Sequence, residues 1–105
     1  MRLKKLKISK TLVEIQKEEL IKFGAMLKAS RASANLTQAK VAKALGYSTP
    51  QFISNWERGV AMPPFIQIRK LVAMYKLDRK MVLERLISME RKLLQSRLFS
   101  DQNEE

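Results

Sequence analysis

The punctuation between Ala34 and Pro64 limits this chain more than any other feature. Ala34-Asn35-Leu36-Thr37 reads as a short loop ending in an N-cap, with the Thr37 hydroxyl placed to accept a hydrogen bond from a first-turn amide. A helix is predicted from Gln38 to Leu45, with Val41, Ala42 and Leu45 on one face while Lys40 and Lys43 point elsewhere. Gly46 stops it. Thr49-Pro50 then opens another helix, with threonine as N-cap and proline in the first helical position, where its missing N–H is not needed. That helix is expected to run to about Arg58, where Gly59 ends it. The result is two short helices joined by a tight turn.

The flanks are helical as well. Thr11 and Glu14 have capping-box spacing, and Leu12, Ile15, Leu20, Phe23 and Leu27 fit one helical face. A first helix is placed over residues 18 to 33. Pro63-Pro64 forbids continuation of the third helix and offers a start for a fourth across Phe65 to Tyr75. Asp78 caps a long last helix, Arg79 to Leu98, in which no Gly or Pro intervenes. Val82, Leu86, Met89 and Leu93 recur along it at a spacing that suits helix packing. Leu6-Lys7-Ile8 is the one candidate for an extended segment, and no strand is needed. The fold class expected is all-α, a five-helix domain with an extended C-terminal helix. Its parts are a basic N-terminal arm over 1–17, the domain proper over 18–84, an extension of the last helix over 85–99 and a disordered tail over 100–105.

Charge says what such a domain meets. The chain has 21 Lys and Arg against 10 Asp and Glu, a formal +11 on 105 residues, which points to a polyanionic partner. Residues 1 to 19 carry +3 and residues 20 to 77 carry nine basic residues and one acid, whereas residues 78 to 105 carry six of each. Between Glu19 and Asp78 the one acid is Glu57, so the middle of the chain has little to repel phosphate. Cys and His are both missing, which removes disulfides, thiolate and imidazole metal ligands and the commonest general base. No enzyme, metal or cofactor is therefore expected. Lys7 and Lys10 interrupt what would be the apolar stretch of a signal peptide, and no apolar run approaches the roughly 20 residues of a membrane span. A cytoplasmic protein is expected. A basic amphipathic protein of the membrane surface is the least favoured of three readings.

Two short helices, a tight turn, a proline-started second helix and a glycine stop are the local grammar of a helix-turn-helix. The residues carry a closer likeness. Leu36-Thr37-Gln38-Ala39-Lys40-Val41-Ala42-Lys43-Ala44-Leu45-Gly46, followed by Ser54-Asn55-Trp56-Glu57-Arg58-Gly59 and Pro63, resembles the Cro/phage-repressor (xenobiotic-response-element type, XRE) helix-turn-helix family over about residues 22 to 84. The segment between Gly46 and Glu57 is one residue longer than the family's usual spacing. Aligned back from Glu57, the extra residue falls in the turn at Tyr47 or Ser48, which keeps the recognition-helix register and bears on the aim of its first turn.

The resemblance implies a repressor-like fold and contacts to DNA base edges from Pro50, Gln51, Ser54 and Asn55. On chemistry alone, Gln and Asn each suit a bidentate pair with adenine N6 and N7, and Gln51 and Asn55 are one helical turn apart on one face. Phe52 either meets a thymine methyl or packs on the first helix. By resemblance Gln38 braces a backbone phosphate, and Lys43 and Arg58 are further backbone contacts. Ile53 and Trp56 are expected to face inward, and the resemblance pairs Glu57 with Arg31. The partner implied is double-stranded DNA, and the function a sequence-specific transcriptional regulator, a repressor acting as a homodimer. Pairing through the C-terminal helix would use the stripe Val82, Leu86, Met89, Leu93 and Leu98, unless that stripe folds back on the core. The basic segment Met1 to Lys10 is either an arm along DNA or disordered. The alternative function is an antitoxin-type protein with a protein partner that also binds its own operator.

Overall fold

In a computed structural model that describes residues 10–99, five helices and no strand are found among the described residues. The first, α1 (Leu12–Ser33), opens on a complete capping box: the Thr11 hydroxyl accepts from the Glu14 amide at 3.1 Å, and the Glu14 carboxylate accepts from the Thr11 amide at 3.0 Å. Its start at Leu12 corrects the expected start at residue 18 and gives residues 12–17 to the helix rather than to an N-terminal arm. Leu6-Lys7-Ile8, the rest of the arm and the tail over 100–105 lie outside the described residues.

The capped segments fold where their caps place them. In α2 (Gln38–Leu45) the Thr37 hydroxyl accepts from the Lys40 amide at 3.1 Å, and Gly46 closes the helix at φ +90°. The third helix, α3 (Gln51–Glu57), begins one residue later than expected. Pro50 belongs to the turn before it, while Thr49 Oγ1 accepts from the Gln51 amide at 3.4 Å. Next comes α4 (Phe65–Tyr75), started after Pro64 and ended by Lys76 in the left-handed region at φ +55°. The last helix, α5 (Arg79–Phe99), starts behind Asp78, whose carboxylate accepts from the Lys80 amide at 3.0 Å.

α1 is the hub, packed on α3, α4 and α5. Phe23 and Leu27 of α1 meet Val41 and Leu45 of α2, Ile53 and Trp56 of α3, and Ile68, Leu71 and Tyr75 of α4 in one buried cluster. Each such side chain contributes about 1.5–3 kcal/mol by leaving water. The same cluster takes in Val82 and Met89 of α5, with Leu86 packed against it. The stripe expected to offer a pairing face is therefore mostly turned inward, and of its members Leu98 is the one that stands well out, 62% exposed. A buried carboxylate fixes this arrangement. Glu19 of α1, 3% exposed, accepts from Lys92 Nζ of α5 at 3.1 Å and lies 3.5 Å from Lys22 Nζ.

The approach of α1 to α3 is closer than side chains allow. A Cβ on Gly24 would lie 2.3 Å from the Trp56 carbonyl oxygen and 2.6 Å from that of Glu57. Gly59, at φ +75°, seats its own backbone against Ile21 in the same way, with a Cβ there 2.7 Å from the Ile21 Cα. Backbone cannot yield as a flexible side chain would. Gly24→Ala is therefore expected to lower the free energy of unfolding by about 3 kcal/mol, although alanine is the better helix former. Urea denaturation checks this, and an unchanged or raised stability would contradict the close approach.

Candidate nucleic-acid interface

The outward face of α3 carries a continuous polar row. Gln51 Nε2 donates to Asn55 Oδ1 at 2.9 Å, Arg58 Nη2 donates to the same oxygen at 2.7 Å, and Arg58 Nε donates to Ser54 Oγ at 3.2 Å. Gln51, Ser54, Asn55 and Arg58 thus stand side by side, on the face opposite the buried Ile53 and Trp56. Pro50 precedes them in the exposed turn. The sequence assigned Arg58 to the DNA backbone. Its place in the row, three residues after Asn55 and hydrogen-bonded to it, sets its guanidinium among the groups aimed outward.

The lengthened turn is held by Tyr47. Its amide donates to the Ala42 carbonyl at 2.9 Å, and its hydroxyl accepts from Gln67 Nε2 of α4 at 3.0 Å. Its ring lies 4.7 Å from that of Phe52 and 6.0 Å, edge on, from that of Trp56. Phe52 leans on Tyr47 and remains 51% exposed beside Gln51. The signal for this was in the sequence, since the lengthened turn carries an aromatic residue, Tyr47.

Beneath the row lies a charged network. Arg31 of α1 donates to Glu57 of α3 through Nε at 2.6 Å and Nη2 at 3.0 Å, and its Nη1 donates to the Leu36 carbonyl at 2.9 Å. Gln38, expected to face a phosphate, here donates through Nε2 to Glu57 Oε1 at 2.8 Å, so α2 joins the same carboxylate. Lys43 is exposed in the last turn of α2. Glu57 is 7% exposed and neutralised, so residues 20–77, which hold no other acid, present no exposed carboxylate at all.

A helix-turn-helix family profile matches residues 27–80, from the second half of α1 to the start of α5. The chain belongs to the Cro/C1-type helix-turn-helix (XRE) family. No curated protein and no solved structure matches it. Membership makes α2 and α3 the two helices of the motif in a family of DNA-binding transcription regulators. Among the described residues no helix is long and apolar enough to cross a membrane.

The helix-turn-helix depends on the carboxylate under it. Hydrogen bonding to Glu57 pushes the Arg31 guanidinium above its usual range, against the burial that opposes it. Glu57→Ala would strand Arg31 and Gln38, and is expected to destabilise the domain by about 3–5 kcal/mol in chemical denaturation. Burial pushes the nearby Tyr75 phenol up to about 12, with the charge of Glu57 adding and that of Arg31 opposing. Unfolded tyrosine ionises near pH 10, so folding favours the neutral form, and the stability present below pH 10 is lost as pH rises from there towards 12. The loss assigned to this group is about 2–3 kcal/mol. Tyr75→Phe should flatten the fall in stability between pH 9.5 and 11.5, and an equally steep fall would place the effect elsewhere.

Proposed function

We propose that this protein is a sequence-specific transcriptional repressor that binds double-stranded DNA in the cytoplasm as a homodimer held through α5. The observation that carries the proposal is an outward Gln51–Asn55–Arg58 row within a segment, residues 20–77, that presents no exposed carboxylate. In the major groove, Gln51 and Asn55 exchange their mutual hydrogen bond for the N6 and N7 edges of adenine, with Pro50 and Ser54 at the margins of the contact. Phe52 lies beside Gln51 as the apolar group of this surface, and the thymine methyl is the apolar group that the major groove offers. Arg58, Lys43 and Gln38 position the phosphate backbone, Gln38 by leaving Glu57.

Selection of bound sequences from a random DNA pool is expected to return a two-fold symmetric site. On that site Gln51→Ala and Asn55→Ala each weaken binding by roughly 5- to 150-fold, corresponding to about 1–3 kcal/mol per bidentate pair, while binding to random DNA changes little. Equal losses on both DNAs would overturn base reading by these residues. Arg58→Ala is expected to weaken both about equally and to reduce the slope of log affinity against log salt by about one. A loss confined to the selected site would instead move Arg58 among the base contacts.

A further inference from the structure

α3 is held very unequally at its two ends. At its C-terminal end Glu57 accepts three hydrogen bonds from Arg31 and Gln38, and the backbones of Trp56 and Glu57 lie against Gly24. The N-terminal end has no such anchor. Pro50 makes no side-chain cap, and Thr49 Oγ1 accepts from the Gln51 amide at a long 3.4 Å. Ile53 sinks the first turn into the core, but apolar contact has no direction and leaves the lateral position of Gln51 and Phe52 open.

Tyr47 supplies the missing direction. Its amide donates to the Ala42 carbonyl at 2.9 Å, which fixes it to the end of α2. From there its ring lies 4.7 Å from that of Phe52 and 6.0 Å from that of Trp56, the two aromatic side chains of α3. Its hydroxyl accepts from Gln67 Nε2 at 3.0 Å, so the ring is tied to α4 as well. Gln67 commits its side chain to this bond, since its Oε1 is buried and accepts from nothing among the described residues. An amide kept in such a place with one bond made is costly, and the bond it makes is the one that holds Tyr47.

The geometry of α3 turns this into a question of aim. The helix is about 10 Å long and pinned at Glu57, so a small rotation about that end moves Gln51 most and Arg58 least. A bidentate pair tolerates a shift of only a few tenths of an ångström before its hydrogen bonds fail. We propose that Tyr47 and Gln67 are positioning residues for base reading: the Tyr47 ring, tied by its hydroxyl to Gln67, aims the first turn of α3, and with it Gln51 and Phe52, while neither residue touches a base. This rests on the base contacts of the proposed function and adds two residues outside α3 to those that decide which sequence is bound.

Sites selected from a random DNA pool by the full chain and its variants test the pair. Gln51→Ala and Asn55→Ala first mark the base pairs that each residue reads. Tyr47→Phe keeps the ring and removes the hydroxyl, and Gln67→Met keeps the length and removes the amide. Each should lower discrimination at the Gln51 base pairs by roughly fivefold, the worth of one hydrogen bond, and leave the Asn55 base pairs and binding to random DNA within about twofold. The double variant should lose no more than either alone, since both break the same link. Tyr47→Leu also removes the ring contact with Phe52, and should lose roughly tenfold or more at the same base pairs. Circular dichroism checks that each variant is folded, and Tyr47→Phe carries the comparison if the leucine variant is not. Unchanged discrimination in Tyr47→Phe or Gln67→Met, additive losses in the double variant, or equal loss at both sets of base pairs would each overturn aiming by this pair and leave base reading by Gln51 and Asn55 standing. A loss on random DNA equal to that on the selected site would overturn it too, and make Tyr47 a phosphate contact. A wild-type chain that selects no sequence would overturn base reading and the aiming role with it.

Discussion

The contact between the backbones of α1 and α3 is the constraint from which the rest of the structure follows. Gly24 and Gly59 let α1 lie against the end of α3 without intervening side chains. Arg31 then clamps Glu57 with two hydrogen bonds, and Gln38 adds α2 to the same carboxylate. A buried pair of this kind is a weak source of net stability, because two charges must leave water to form it. Its value here is directional. A guanidinium fork and a carboxylate meet well in few orientations, so α3 is held at one rotation about its axis, and the row from Gln51 to Arg58 faces outward as a result.

How much of this the sequence disclosed depended on where each decision was made. α2 and the start of α4 were legible to the residue, because Thr37, Gly46 and the Pro63-Pro64 pair settle those ends through local chemistry. The start of α1 was not. Thr11 and Glu14 were visible as a capping box, but helix continues from them through Lys17 and Glu18 with the support of packing on α5, and tertiary packing outweighs propensity in such a segment. Gly24 reads locally as a weak point in a helix, and its reason becomes plain only when Trp56 and Glu57 are found against it. Lys76 ends α4 in a conformation usually left to glycine, with nothing in the sequence to mark it. Of the candidate site, the row on α3 followed from helical spacing, while the turning of Gln38 towards Glu57 required the fold.

The last helix shows how one periodic pattern can carry two faces. Val82, Leu86 and Met89 dominate the sequence pattern, and they are spent on the domain's own core. Leu83, Ile87, Leu94 and Leu98 are the weaker signal, because Glu90 breaks their line, yet they are the residues left outside. Glu19 and Lys92 decide which face is which. A buried carboxylate on α1 that meets a lysine of α5 at 3.1 Å opposes rotation of α5 about its axis, since rotation would leave a charge inside without its partner.

The hydrogen bonds within the polar row bear on how such a protein finds its target. Gln51, Ser54, Asn55 and Arg58 are tied to one another by three hydrogen bonds in the unbound chain, so part of their hydrogen-bonding capacity is met before they reach a duplex. On the proposed role, a non-matching duplex would be held chiefly through phosphate attraction. On that role, a matching site has to offer bases good enough to replace the internal partners. The helix of that proposal is in this sense self-quenched: the bonds that hold its side chains together in the unbound chain set the threshold that a correct sequence would have to exceed.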